Sequence, residues 1–190
     1  ISIYNKPLQK EFLWVNAGLP FSTCAPGSEY DPNFLGGVDE LVPNDIPENI
    51  DSIDYPDHGE LWTTPLKCIT TENKITVHGI LPLSGLYYSK TLSLDKGSSS
   101  ISLDYIIRND SGQPRHFMWK LHAALKIEEG DQLKTSAIHS KVVDPEYSRF
   151  KKELTEFNWP TIENTDASVV PANNGSMDFL YLYNTPSGEM

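Results

Sequence analysis

The sequence predicts an all-β protein built as a large antiparallel β-sandwich. From residue 64 onward, apolar and polar residues alternate with period two over long stretches, which is typical of strands with one buried face. Turn residues separate these stretches. Strands do not alternate with helices, so the pattern does not favour a parallel sheet. The 190 residues and 38% hydrophobic content suffice for one core, so we expect a single domain over residues 1–190.

Six segments after residue 73 carry the strand pattern. Two hairpin-type connections, 95–98 and 109–112, separate three of them. The four longest segments exceed the usual strand length and predict broad sheets with one open face. The predicted strands are 74–83, 85–94, 99–108, 114–127, 132–139 and 178–183.

One short helix is predicted near residues 145–157. Asp144 is suited to cap it and Pro145 suits the first helical position, while Pro160 ends the pattern. The apolar residues between them recur at helical spacing: Tyr147, Phe150, Leu154 and Phe157.

The stretch 29–60 is acidic and rich in proline, with ten carboxylates and no Lys or Arg. This composition indicates irregular structure, and so long a loop in a compact domain is typically functional or disordered. Its many apolar and aromatic residues favour an ordered cover over a floppy linker.

The net charge of −11 argues against nucleic acid and anionic membranes, because the 15 basic residues form no cluster. No apolar run is long enough to span a bilayer and no targeting segment is evident, so we expect a cytoplasmic protein. Cys24 and Cys68 lack metal-cluster spacing, which favours two free thiols over one disulfide.

The octapeptide YPDHGELW, residues 55–62, is the first candidate for chemistry. Pro56 and Gly59 allow a tight turn from which His58 can project. Asp57 and Glu60 can bond sugar hydroxyl groups or fix the tautomer of His58, and Trp62 can stack on a sugar face. The alternative is a turn of the acidic loop with Trp62 as its core anchor.

The predicted strand 114–127 supplies the second candidate. Period two places Trp119, Leu121, Ala123, Leu125 and Ile127 on one apolar face, expected to meet the core. The opposite face carries His122 between Lys120 and the small Ala124, which leaves room for a ligand over the imidazole. The alternative is a solvated surface histidine.

Two long blocks resemble the aldose 1-epimerase (galactose mutarotase) superfamily, in particular a bacterial branch with a PDHGELW-type segment. The blocks are GGVDELVPNDIPENIDSIDYPDHGELWTTP and SGLYYSKTLSLDKGSSSISLDYIIRNDSGQPRHFMWKLHAAL, within residues 30–130. The resemblance implies a β-sandwich of galactose mutarotase type that binds a free sugar on a concave sheet face. It also implies cofactor-free interconversion of α and β anomers through the open-chain aldehyde.

The resemblance implies roles for the two histidines. His122 matches the strand histidine that acts as general acid, and His58 matches the loop histidine that binds and polarises the sugar. Asp57, Glu60, Trp62 and Lys120 are expected in or beside the pocket. The family's glutamate base comes from a later strand, so we expect a chain truncated at its C-terminus. An incomplete sheet would favour association with another copy or with the remaining portion.

Two other functions are consistent with the same residues. One is a non-catalytic carbohydrate-binding module on this fold, since fold does not fix function. The other is a metal-dependent enzyme in which His58, Glu60 and His122 form a two-histidine, one-carboxylate site.

Overall fold

The computed structural model describes residues 2–151, 156–175 and 177–186. Almost all regular structure is β, every strand pair is antiparallel, and no helix of seven or more residues occurs within these ranges. The all-β prediction is confirmed. Two 3₁₀ turns, Asp31–Asn33 and Leu61–Thr63, are the helical elements among the described residues.

The described residues contain fifteen strands. In chain order they are β1 (Tyr4–Asn5), β2 (Lys10–Glu11), β3 (Val38–Leu41), β4 (Glu48–Ile50), β5 (Ile53–Tyr55), β6 (Lys67–Thr70), β7 (Lys74–Ile80), β8 (Leu86–Leu94), β9 (Ile101–Asn109), β10 (Lys120–Ala123), β11 (His139–Val142), β12 (Glu156–Asn158), β13 (Thr161–Ile162), β14 (Thr165–Asp166) and β15 (Leu180–Tyr183).

The chain divides into two compact units, Ile1–Lys126 and Ile127–Met190. The largest sheet of the first unit has the strand order β6-β7-β8-β9. The predicted strands 74–83, 85–94 and 99–108 correspond to β7, β8 and β9, with ends within a few residues. The prediction of one domain over the whole chain stays a prediction.

A second, smaller layer of the first unit is the pair β3 and β10. Its register sets Asp39 opposite His122 and Glu40 opposite Leu121. Glu40 reaches the large sheet, where it bonds residues of β8 and β9. Trp119, just before β10, packs against the buried cluster Val42, Leu61, Leu81, Leu86 and Tyr88.

The loop 29–60 is the ordered cover that its composition predicts, but it is more regular than expected. It contains β3, β4 and β5, and its Tyr30, Leu41, Val42 and Tyr55 are buried. Gly36 lies where the loop passes Trp14 and has a φ of 79°. A Cβ at this position would clash with the Trp14 carbonyl oxygen, only 2.3 Å away. Only glycine fits so close an approach.

The predicted strand 114–127 is mostly irregular, and its predicted faces are wrong at residues 120–125, although Trp119 packs against the core as predicted. Only Lys120–Ala123 forms a strand. Met118 still donates to the Pro43 carbonyl in the register of β3, but proline has no N–H to return the bond, and beyond Ala123 the backbone of Lys126 bonds Phe12 instead. Leu121, Ala123 and Leu125 are exposed, while Lys120 and His122 are half-buried. The polar face is covered because the acidic loop packs over it.

The second unit has a three-stranded sheet of order β12-β11-β15 and the short hairpin β13-β14. Ser140 and Val142 of β11 are buried in it. In the predicted strand 132–139, Gln132 forms a single bridge to Val169 and His139 begins β11, whereas 178–183 contains β15.

The predicted helix near residues 145–157 is wrong for the part that the structure describes, 145–151 and 156–157. Residues 145–151 make turns, Glu156–Asn158 is β12, and 152–155 lie outside the described residues. The backbone N–H of Arg149 donates to Asp178 and that of Phe150 to the Ser148 hydroxyl oxygen. Side chains therefore take the donors that a helix would use, and Phe157 pairs with Ser140 instead.

Cys24 and Cys68 are free, as the sequence favours. Among the described helical segments, none has the length and apolar character required to cross a bilayer.

Candidate functional site

His122 lies at the centre of a hydrogen-bonded group with Asp39 and Tyr30. Its Nδ1 is 3.0 Å from Oδ1 of Asp39 and 2.9 Å from the Tyr30 hydroxyl oxygen. That hydroxyl also donates to Oδ2 of Asp39 over 2.6 Å. Strand pairing places the carboxylate, because Asp39 is the direct partner of His122 across β3 and β10.

These contacts fix which nitrogen of the neutral ring is available for chemistry. A hydrogen on Nδ1 faces two acceptor oxygens, so the lone pair falls on Nε2. Within the described part of the chain, Nε2 has no hydrogen-bond partner. The side chains of His122 and Asp39 are 29% and 28% exposed, which leaves the ring reachable.

His58 lies beside this group, as the sequence predicts. Its ring centroid is 5.8 Å from that of His122, and it stacks on Tyr30 at 3.6 Å with an interplanar angle of 6°. Nδ1 of His58 is 2.9 Å from Oδ2 of Asp57, yet it makes no directed hydrogen bond. The carboxylate is therefore close to the ring but lies off its N–H direction.

A tight turn holds His58 in this position. His58 itself has a φ of 60°, and its backbone N–H donates to the carbonyl of Asp45 over 2.8 Å. Gly59 follows with a φ of 73°, and a Cβ there would lie 2.3 Å from the Val42 carbonyl oxygen. The PDHG segment thus works as a turn whose close backbone approach requires glycine.

Of the other predicted site residues, Trp62 contacts the histidine group through Tyr30, whereas Lys120 and Glu60 bind residues outside it. Trp62 contacts Tyr30 edge-to-face at 5.2 Å. Both ammonium contacts of Lys120 go to Asp45, at 3.1 and 2.9 Å. Glu60 is buried, and its carboxylate accepts the backbone N–H groups of Leu83 and Ser84. We therefore assign Glu60 to the fold.

The predicted metal triplet of His58, Glu60 and His122 is not assembled. Among the described residues, no group of three or more His, Cys, Asp and Glu side chains is arranged to hold an ion. The contacts of Glu60 explain this, because both of its oxygens are bonded to the turn that links β7 to β8.

A cavity of about 620 Å³ is lined by Tyr30 and Asp39, which contact His122, although neither His122 nor His58 lines it directly. Phe34 and Trp62 line it as well, together with residues from the segments 15–24, 33–36 and 63–65. Among the described lining residues, Asp39 alone has an ionisable carboxylate. The others have apolar, aromatic, hydroxyl, amide or thiol side chains, or are glycine. Such a lining suits a neutral polar ring.

A second cavity, of about 550 Å³, shares Asp39 and Trp62 and lies against the large sheet. Lys90 lines it, with Nζ 2.6 Å from Oε1 of Glu40. The same carboxylate accepts the hydroxyls of Tyr105 at 2.7 Å and Tyr88 at 3.0 Å. Burial raises the pKa values of both tyrosines well above the usual value, and the hydrogen bond and negative charge of Glu40 raise them further.

Sequence reasoning missed Asp39 and Tyr30 as site residues. Asp39 has no local signature, since it meets His122 only through pairing between segments 83 positions apart. Tyr30 stood out only as one of several aromatic residues in the acidic loop. The signal that could identify them is the strand pairing itself, which local periodicity does not reveal.

Comparison with known proteins adds no relative: no family model, curated protein or solved structure matches the chain.

Proposed function

We propose that this chain is a carbohydrate-processing protein that interconverts the α and β anomers of a free aldose by general acid–base catalysis. The observation that carries the proposal is the fixed orientation of His122. Asp39 and Tyr30 engage Nδ1, so Nε2 can exchange a proton with a bound sugar. The resemblance of residues 30–130 to aldose 1-epimerases supports the same role.

The chemistry requires two proton movements. In its doubly protonated form, His122 gives the Nε2 proton to the ring oxygen as the bond from that oxygen to C1 breaks, which leaves the neutral Nδ1–H ring. The anomeric hydroxyl loses its proton as the aldehyde forms. After rotation about C1–C2, the reverse transfers close the ring with the other configuration. We assign the second transfer to the Asp57–His58 pair, whose carboxylate side chain is 41% exposed.

The substrate we propose is an uncharged aldose. Asp39 lies in the wall of the larger cavity, and Lys120 is bound to Asp45. A sugar phosphate would therefore meet negative charge without a free cation among the described lining residues.

Polarimetry tests the proposal. The protein should accelerate the equilibration of pure α-D-glucose or α-D-galactose over buffer, and His122→Asn should slow that catalysis by roughly 10²-fold or more. His116→Asn is the matched control, because His116 is an exposed histidine outside the site. A wild-type protein that accelerates none of several aldoses would refute the proposal.

A non-catalytic sugar-binding module is the second candidate, and the aromatic lining of the larger cavity favours it. Tyr30, Phe34 and Trp62 can bind a sugar face whether or not the sugar is turned over. Calorimetric binding separates the two, because a module binds without accelerating equilibration and keeps its affinity in His122→Asn.

A further inference from the structure

We propose that Tyr30 is a positioning residue that holds His58 and His122 as one unit. Its hydroxyl orients the His122 ring, and its aromatic face orients the His58 ring. Tyr30 is 4% exposed and contacts both histidines. Only its effect on the reaction rate rests on the proposed function.

The hydroxyl group acts on His122. A phenol has one hydrogen, and the 2.6 Å contact directs it to Oδ2 of Asp39. Toward Nδ1 of His122, 2.9 Å away, the phenol oxygen is therefore an acceptor. Tyr30 and Asp39 together require a hydrogen on Nδ1 and leave Nε2 as the proton-accepting nitrogen of the neutral ring.

The surroundings of Tyr30 keep its hydroxyl protonated. Burial raises the pKa of Tyr30 well above the ordinary value, and the hydrogen bond to Asp39 and its charge raise it further. The ring is braced by Phe34, at 5.3 Å, and by the edge contact with Trp62. The hydroxyl is thus a fixed donor to Asp39 at neutral pH.

The aromatic face acts on His58. The two rings are nearly parallel at 3.6 Å, whereas the contact of His58 with Asp57 is not a directed hydrogen bond. Stacking is therefore the main directional restraint on the His58 ring. One residue consequently orients the two groups that the proposed reaction needs to act together.

The test compares Tyr30→Phe with Tyr30→Leu, using protein labelled with ¹⁵N in histidine. Tyr30→Phe keeps the ring and removes the hydroxyl, so the His122 nitrogen shifts should change while the His58 ring protons stay unchanged. Tyr30→Leu also removes the face, so His58 should lose its upfield ring-current shift. Tyr147→Phe, at an exposed tyrosine, should change neither.

The unmodified protein gives a test that does not depend on the variants folding. Its neutral His122 should show the ¹⁵N pattern of the Nδ1–H tautomer, and an Nε2–H tautomer would overturn the proposal. Unchanged His122 shifts in folded Tyr30→Phe would overturn it as well.

Kinetics separate this inference from the proposed function. In the anomer assay, Tyr30→Phe should lower kcat roughly tenfold with little change in KM, because the hydroxyl positions a catalytic group. If the wild type shows no anomer equilibration but the NMR changes occur, the proposed function fails and the positioning role stands.

Discussion

Asp39 and Glu40 are neighbours on β3 whose carboxylates lie on opposite faces and bind different partners. Because strand residues alternate between faces, Asp39 turns to His122 and Tyr30 while Glu40 turns to Lys90, Tyr88 and Tyr105. The side chain of Asp39 is 28% exposed beside a reachable imidazole, whereas that of Glu40 is 6% exposed beside a buried ammonium. One strand thus places a partly exposed carboxylate that orients an imidazole beside a buried carboxylate that joins two layers.

The surroundings decide the difference. Glu40 accepts three hydrogen bonds from protein groups, which suits a buried charge that cannot reach water. Asp39 orients a ring whose second nitrogen is left for other partners. A carboxylate at the Glu40 position therefore stabilises the contact between two layers, and one at the Asp39 position orients the His122 ring.

The largest expected effect is on the Glu40 side. Lys90→Met should lower the free energy of unfolding by about 3–5 kcal/mol, because it leaves a buried carboxylate without its cation. Urea unfolding measures this. The double variant Lys90→Met with Glu40→Gln should recover part of the loss, and a Lys90→Met protein as stable as the wild type would show that the pair is not structural.

Gly59→Ala perturbs the turn that carries His58. Its Cβ would meet the Val42 carbonyl oxygen at 2.3 Å, whereas a Cβ at Gly97, with a similar φ of 81°, meets nothing within 4 Å. Both alanine variants place a Cβ in a left-handed backbone conformation, so Gly97→Ala is the control for that strain. The additional clash should make Gly59→Ala less stable than Gly97→Ala by about 1–3 kcal/mol. Equal melting temperatures would contradict the close approach.

The smallest expected effect appears at alkaline pH. Tyr30, Tyr88 and Tyr105 all have raised pKa values, so the unfolded chain loses these protons first, near pH 10. Stability should therefore be unaffected by these groups below about pH 10 and fall above it. Absorbance at 295 nm should show these phenols ionising only as the protein unfolds, and early ionisation of all tyrosines would contradict their burial.

Much of the fold follows from local patterns in the sequence. Alternation and turn residues locate β7, β8 and β9 because their hairpins are short and local. The helix near 145–157 fails because Asp178, far along the chain, takes the Arg149 backbone donor. The faces of residues 120–125 are reversed because a polar loop, rather than the core, covers His122.

The site could be predicted in part. YPDHGELW and the strand histidine identify His58 and His122, which the structure places side by side. Asp39 and Tyr30 depend on long-range pairing that one sequence does not display. Glu60 looked like a ligand-binding carboxylate because the sequence does not show that the Leu83–Ser84 turn occupies it.

The most direct test is a paired measurement on Asp39→Asn and Glu40→Gln, recording the anomer-equilibration rate and the free energy of unfolding for each. Asp39→Asn should lower the rate by roughly 10²-fold or more with a loss of only about 1 kcal/mol in stability. Glu40→Gln should lose about 3 kcal/mol or more and keep the rate of the folded protein. Full rate in Asp39→Asn, or the same pattern in both variants, would contradict the division of roles on β3.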